Sequence, residues 1–278
     1  ETGTQANSVI SSLGYDGSRI RFRTGIQQGN ALIGLFNAGG ECVWSWHIWV
    51  ANYDPESSAQ KYSSGDIFMD RNLGAGTDYT KVSACGLYYQ WGRKDPFPYP
   101  ASFTNNARPA SFIYHDNYAY GTIRPEDHDA REVMSVEWAT QHPTTFIHKA
   151  DYEVDDSEED VLDWLFRSHH NLWGNTTEQG YDVSKVCRKT IYDPCPPGWK
   201  VPAPEAWDMN TFRYASNYEE CGYDVYYSSA ATSAFYPFGG YLHDNSGQEV
   251  FVQPYLWGGV WTCTASNRRG GSTFEPAA

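Results

Sequence analysis

The chain has 278 residues and a formal net charge of −14, and Phe, Trp and Tyr make up 16% of it against only 3 Met. An acidic field of that size repels phosphate backbones and anionic lipid heads, which excludes nucleic acid and membrane surfaces as partners; no run approaches the ~20 apolar residues of a membrane helix, so no transmembrane segment is expected. Hydrophobic residues, at 40%, supply a core, and the weighting toward Trp and Tyr supplies rings with an apolar body and a polar edge, suited to cores and to sugar or protein surfaces alike.

Residues 1–18 read as an N-terminal lead in which Glu1-Thr2-Gly3 looks vector-derived, and the absence of a signal peptide fits a processed chain. Residues 19–278 read as one elaborated domain that opens with a β-hairpin over 19–50. Ile20-Arg21-Phe22-Arg23 alternates apolar and polar, the period of a half-buried strand. Gly29-Asn30 breaks the chain before the apolar run 31–36, and Asn37-Ala38-Gly39-Gly40 is a turn by composition. Strict alternation over 43–50 sends Trp44, Trp46 and Ile48 one way and Val43, Ser45, His47 and Trp49 the other, so this strand should be covered on both faces. A loop follows over 51–66, then a short strand at Ile67-Phe68-Met69, and 95–130 shows no period.

Two helices are expected further on. Ser157 with Asp160 resembles a capping pair, Glu158, Glu159 and Asp160 suit the first turn, and Val161, Leu162, Leu165 and Phe166 form an apolar stripe. The second begins near Pro204 and carries Trp207 into the core. Short strands separated by Gly, Asn and Ser fill the last third. The fold class is α+β with short twisted antiparallel sheets, two or three short helices and long irregular loops.

Six cysteines stand at positions 42, 85, 187, 195, 221 and 263, which allows 15 complete pairings. None forms C-x-x-C or lies at zinc-ligand spacing from His. Two or three disulfides in an oxidising compartment are expected, against a reading in which the thiols are free and buried. No G-x-S-x-G, H-E-x-x-H or phosphate-binding glycine loop is present, and no enzyme activity is expected. No cofactor is expected either. Calcium is the one metal weighed, with Asp155, Asp156 and Glu158 as weak candidates in an acidic stretch that reads equally as a solvated helix entry. His142, His148 and His169-His170 read as surface or capping residues.

Three blocks carry a family resemblance. The first is Trp44-Ser45-Trp46-His47-Ile48-Trp49-Val50 with Phe68-Met69-Asp70-Arg71-Asn72-Leu73-Gly74-Ala75. The second is Gly86-Leu87-Tyr88-Tyr89-Gln90-Trp91-Gly92-Arg93-Lys94-Asp95-Pro96-Phe97, whose glycines and aromatics suggest a short docked helix. The third is Tyr192-Asp193-Pro194-Cys195-Pro196-Pro197-Gly198-Trp199-Lys200-Val201-Pro202, a proline-stiffened turn. Together, over residues 44–202, they resemble the Fibrobacter-type major paralogous domain of surface proteins in Bacteroidetes-like bacteria, fimbrial tip subunits included. The resemblance implies a C-type-lectin-like fold, related in shape to the formylglycine-generating-enzyme fold, together with secretion and display at the cell surface, in a fimbrium or at the outer membrane. The family's closing strand, which ends in Val-Arg-Cys-Val and brings the expected partner of Cys195, is not matched after Gly258-Gly259-Val260-Trp261-Thr262. On this reading Cys195 pairs with another cysteine, such as Cys187 or Cys221, or is free.

Residues of the three blocks read as scaffold. The expected ligand surface is C-terminal: Tyr241, His243, Tyr255, Trp257, Trp261, Asn267, Arg268 and Arg269, where aromatic platforms stand beside planar polar groups. Trp257 and Trp261 read equally as core. Glu275-Pro276-Ala277 begins like the Glu-Pro-Asn motif of calcium-dependent lectins and then departs from it. The function expected is an adhesin-type binding module recognising glycan or a host or bacterial surface protein, within a pilus tip or envelope protein. The alternatives are a structural subunit that assembles with neighbouring pilus subunits and, behind it, a carbohydrate-active or formylglycine-generating-like enzyme.

Overall fold

A computed structural model describes residues 9–76, 86–97, 121–148, 164–166, 169, 171–174, 188–207, 213–217, 222–226, 233–237, 241–245, 248–252, 260–263 and 273–274. Among the described residues the chain is strand-rich, with few helices and short sheets that are antiparallel except for one pair. This is the α+β class.

Strands β1 (Ile10–Tyr15) and β2 (Ile20–Thr24) pair antiparallel into an arm. Its tip is an Asx turn, in which Asp16 Oδ1 accepts from the amides of Ser18 at 3.1 Å and Arg19 at 2.8 Å. Leu13 faces Phe22 and Tyr15 faces Ile20 across the ladder, so the four share one face. The segment expected to be a lead thus contributes a strand, and the hairpin expected over 19–50 is two hairpins. Nor is the arm half-buried: Tyr15 is 56% exposed and Phe22 42%.

The second hairpin joins β3 (Gly29–Phe36) to β4 (Cys42–Val50). Gly29-Asn30 begins β3 instead of breaking the chain, because Asn30 is buried and its Nδ2 donates to the Gly74 carbonyl at 2.9 Å. Asn37 shapes the turn by accepting from the amides of Gly39 and Glu41 at 2.9 and 3.0 Å. Leu35 pairs with Trp44 and Phe36 with Cys42, so Val43 is the extra residue of a β-bulge. Strict alternation therefore fails at the start of β4. Beyond the bulge the inner face is pinned by polar bonds: Ser45 Oγ to Asp95 at 2.6 Å, His47 Nε2 with Asn30 Oδ1 at 2.8 Å, and Trp49 Nε1 to the Ala75 carbonyl at 3.0 Å. The other face is only partly covered, with Trp46 39% exposed.

The centre of the molecule is the segment 86–97. It is not a helix. Tyr88 and Phe97 exchange both backbone hydrogen bonds, at 3.0 and 2.8 Å, and close it into a loop. Gly92 sits at φ +84°, where a Cβ would come within 2.6 Å of Leu172. The loop's carbonyls receive indole N–H groups from distant segments: Trp164 donates to Trp91 at 2.7 Å, Trp261 to Tyr89 at 3.0 Å and Trp173 to Arg93 at 3.3 Å. Trp91 in turn donates to the Thr262 carbonyl at 3.1 Å. Buried indoles need an acceptor, and here the acceptors are main-chain atoms of one loop. Around it pack Met134, Ile147, Leu165, Leu172 and Val201.

Beside this hub lie β7 (Gly121–Ile123) and β8 (Thr145–Ile147), the parallel pair, with α1 (Ala130–Val133) and α2 (Val136–Gln141) between them in sequence. A smaller core joins β5 (Gln60–Lys61) and β6 (Ile67–Phe68) to the sheet of β9 (Arg213–Asn217), β10 (Gly222–Tyr226) and β11 (Ser233–Pro237). Its rings are Tyr62, Phe68, Trp207 and Tyr236. The helix expected from Pro204 is a single 3-10 turn, Pro204–Trp207, and it does bury Trp207. Of the helix expected from Ser157, residues 157–163 lie outside the described residues and Trp164–Phe166 form a bend. The remaining pairs are β12 (Tyr241–Asn245) with β13 (Gln248–Val252) and β14 (Val260–Trp261) with β15 (Thr273–Phe274).

Cys42 and Cys195 are free thiols and Cys263 is disulfide-bonded. Two free thiols among six cysteines leave at most two bridges, so three bridges are ruled out, and the pairing considered for Cys195 is not made.

Candidate functional site

The bulge at Val43 re-aims the start of β4. Cys42, Val43 and Trp44, three consecutive residues at the bulge, line one cleft of about 810 Å³. The opposite wall is α1 and α2 with Arg131, Val136, Glu137, Thr140 and Gln141, and Phe166, His169 and Tyr192 complete the lining with their neighbours. Its size and mixture of rings and polar groups lie in the range of small-molecule sites.

The short helices on that wall are held at both ends. Asp129 caps α1 by accepting from the Arg131 amide at 3.0 Å, and Ser135 caps α2 by accepting from the Trp138 amide at 3.1 Å. Arg93 closes the far end of α2. Its Nη2 donates to the Ala139 and His142 carbonyls at 3.3 and 3.1 Å, and its Nη1 to Thr145 at 2.7 Å. A guanidinium at a helix C-terminus satisfies carbonyls that have no partner within the helix and complements the dipole. The rings of Phe97 and Trp164 flank the cation, at 5.0 and 5.6 Å.

Trp44 has a charged support. Lys94 Nζ lies 4.5 Å from the ring centroid and contacts both Asp95 carboxylate oxygens, at 2.7 and 2.9 Å. Ser45 Oγ bonds to the same ammonium and to the same carboxylate. The pair is almost fully enclosed, with 9% and 4% of the two side chains exposed, and burial pulls the Lys94 ammonium below its ordinary pKa. On the cleft side, Trp44 meets Tyr192 at 5.9 Å between centroids with planes inclined by 50°. Tyr192 is held by its own turn: its carbonyl accepts from Trp173 Nε1 at 3.0 Å, and the next residue, Asp193, accepts from the amides of Cys195 and Val201 at 2.8 and 2.9 Å.

Burial sets the protonation states of the titratable groups around the cleft. Burial pushes the Cys42 thiol up, and burial together with the Asp193 carboxylate pushes Cys195 well up, so both stay as thiols near neutral pH. Burial pushes His47 down to about 4 and leaves it neutral, its Nδ1 facing the Tyr89 hydroxyl at 3.5 Å. The Tyr192 hydroxyl is raised, first by burial and then by the Glu137 charge. What the cleft offers is aromatic surface flanked by carboxylate, amide and guanidinium groups.

Of the C-terminal residues expected to bind ligand, Tyr241 and His243 lie on β12 opposite Val252 and Val250. Tyr255, Trp257, Asn267, Arg268 and Arg269, and the acidic candidates Asp155, Asp156 and Glu158, lie outside the described residues. Trp261 belongs to the scaffold: its indole bonds to Tyr89, and its ring meets Trp173 edge-on at 6.1 Å. The cleft residues were missed because four separate stretches of the chain bring them together. The signals present were the capping residues Asp129 and Ser135 and the density of tryptophan at 44–49. Among the described residues no helix is long and apolar enough to cross a membrane, and no three His, Cys, Asp or Glu side chains come together as a metal site. Comparison of the chain with protein families, with curated proteins and with solved structures returns no match.

Proposed function

We propose that the chain is an adhesin-type binding module of C-type-lectin-like form, displayed at a bacterial surface in a pilus tip or envelope protein, and that it recognises a glycan or a surface protein through the cleft between β4 and α1–α2. One observation carries this reading: a cleft beside the bulged start of β4 is lined by the Trp44 and Tyr192 rings, and Trp44 is backed by a buried ion pair. Pre-organised aromatic surface is what recognition rewards, because little freedom is left to lose on binding. The three sequence blocks support the same reading, since they supply the hub, the ion pair and the Tyr192 turn on which the cleft rests.

The test is a screen of the whole chain against a glycan array and against host and bacterial surface proteins, repeated with Trp44→Ala. The reading expects at least one specific ligand that is lost with Trp44→Ala. A folded chain that binds neither class, or a ligand indifferent to Trp44, contradicts it.

A second reading, a structural subunit that only assembles with neighbours, is favoured by the arm, which leaves Leu13, Tyr15 and Phe22 exposed on one face. A self-assembled complex abolished by Tyr15→Ser with Phe22→Ser, and no ligand for the cleft, is its expected signature.

A further inference from the structure

We infer that the cleft takes an uncharged hexopyranose unit of a glycan, seated against the surface of Trp44 and Tyr192, with its hydroxyls held by Glu137, Gln141 and Arg131. This rests on the proposed binding role and names the ligand class for it.

Ring geometry is the first observation. Trp44 and Tyr192 are both half-buried and in direct contact, 5.9 Å between centroids with planes inclined by 50°, so they form one continuous aromatic surface with no room for a ligand between the rings. Lys94 is not part of the cleft lining and meets the indole from within the fold. A pyranose ring has a face of C–H groups that packs against such rings and a rim of hydroxyls that needs polar partners.

The second observation is which polar groups are already in use. Asn37 and Glu41 bond to each other at 2.7 Å, Ser135 caps α2, and Thr140 Oγ1 donates to the Val136 carbonyl at 2.8 Å. Glu137, Gln141, Arg131 and the Tyr192 hydroxyl make no side-chain hydrogen bond or ion pair among the described residues. Glu137 and Gln141 stand four apart on α2 and so share one face of it. A carboxylate accepts two hydroxyl protons, an amide accepts and donates, and a guanidinium donates in a planar fork. That set matches neighbouring hydroxyls on a sugar ring.

Charge is the third. The rim holds the carboxylates of Glu41 and Glu137 against the Arg131 guanidinium. The single excess negative charge works against an acidic sugar and leaves a neutral one suited to the site. The main-chain groups of α1 and α2 are committed within the helices or to Arg93, so that wall reads its ligand through side chains and not by strand pairing.

The experiment uses the whole chain on an array of neutral and acidic oligosaccharides, followed by titration calorimetry with the strongest neutral one. Trp44→Ala, Trp44→Tyr and Glu137→Gln are compared with the unaltered chain, with near-UV circular dichroism as the check on folding. Affinity should fall about thirtyfold or more with Trp44→Ala, and by less than about tenfold with Trp44→Tyr. Glu137→Gln should cost about tenfold, and EDTA should change nothing. Binding of acidic glycans alone, or of a peptide or protein that depends on Trp44, overturns the sugar assignment and leaves the binding role standing. Neutral-glycan binding that ignores Trp44, or that EDTA abolishes, overturns the cleft as the sugar site. No ligand of any class overturns both.

Discussion

The hub at 86–97 and the arm at 10–24 are both rich in aromatic and aliphatic side chains, yet they end in opposite states. In the hub, Trp91 and Phe97 are 3% and 2% exposed, and the loop trades indole, guanidinium and amide bonds with segments up to 172 residues away. The arm carries Leu13, Tyr15, Ile20 and Phe22 on one face and leaves it open, with Tyr15 56% exposed. A two-stranded hairpin has only one neighbour to cover each strand. Apolar content alone therefore does not make a core. What distinguishes the hub is that its indoles bond to main-chain carbonyls of distant segments, whereas the Tyr15 hydroxyl of the arm bonds to Gly17, only two residues on.

That contrast can be broken by mutation. Arg93→Met should have the largest effect, since the buried carbonyls of Ala139, His142 and Thr145 lose their donor. We expect a loss of about 4 kcal/mol in urea unfolding, and a loss under about 1 kcal/mol would show that the hub is not organised as described. Lys94→Met comes next, at about 3 kcal/mol, because Asp95 is left as a buried charge without its partner. Adding Asp95→Asn should restore most of that loss, a coupling that simple overpacking would not produce.

A subtler effect follows from His47. Its pKa is about 4 in the fold against an ordinary 6.5, so the unfolded chain binds a proton that the folded chain refuses. The contribution is intact above pH ~6.5 and is lost as pH falls toward about 4, to a total of about 3 kcal/mol. His47→Gln should flatten the pH dependence of the unfolding midpoint in that window, and an unchanged slope would contradict the assignment. Tyr15→Ser with Phe22→Ser should do least, within about 0.5 kcal/mol, since their rings lie open on the arm.

The same contrast marks what could be read in the sequence. Period-2 alternation located β2 and β4, the apolar run 31–36 located β3, and the Pro204 turn with its buried Trp207 was legible from composition. The block 86–97 was legible as scaffold but not in shape. Its glycines and aromatics suit a helix, whereas the loop is set by partners more than 50 residues away, such as Ile147 and Thr262. Nothing local announces the bulge at Val43, because its register depends on the turn at 37–41 and on β3. The cleft stayed hidden for the same reason. Aromatic and polar residues near the C-terminus drew attention in the sequence, and a half-buried Trp44 on a strand did not.

Hydrogen–deuterium exchange of the whole chain, with and without the glycan selected on the array, tests the central claim most directly. Ligand should slow exchange in 42–46, in 130–141 and around Tyr192, and leave the arm at 10–24 unchanged. Slowing confined to 241–269, with β4 and α2 unaffected, would place recognition at the C-terminal loops and contradict the account.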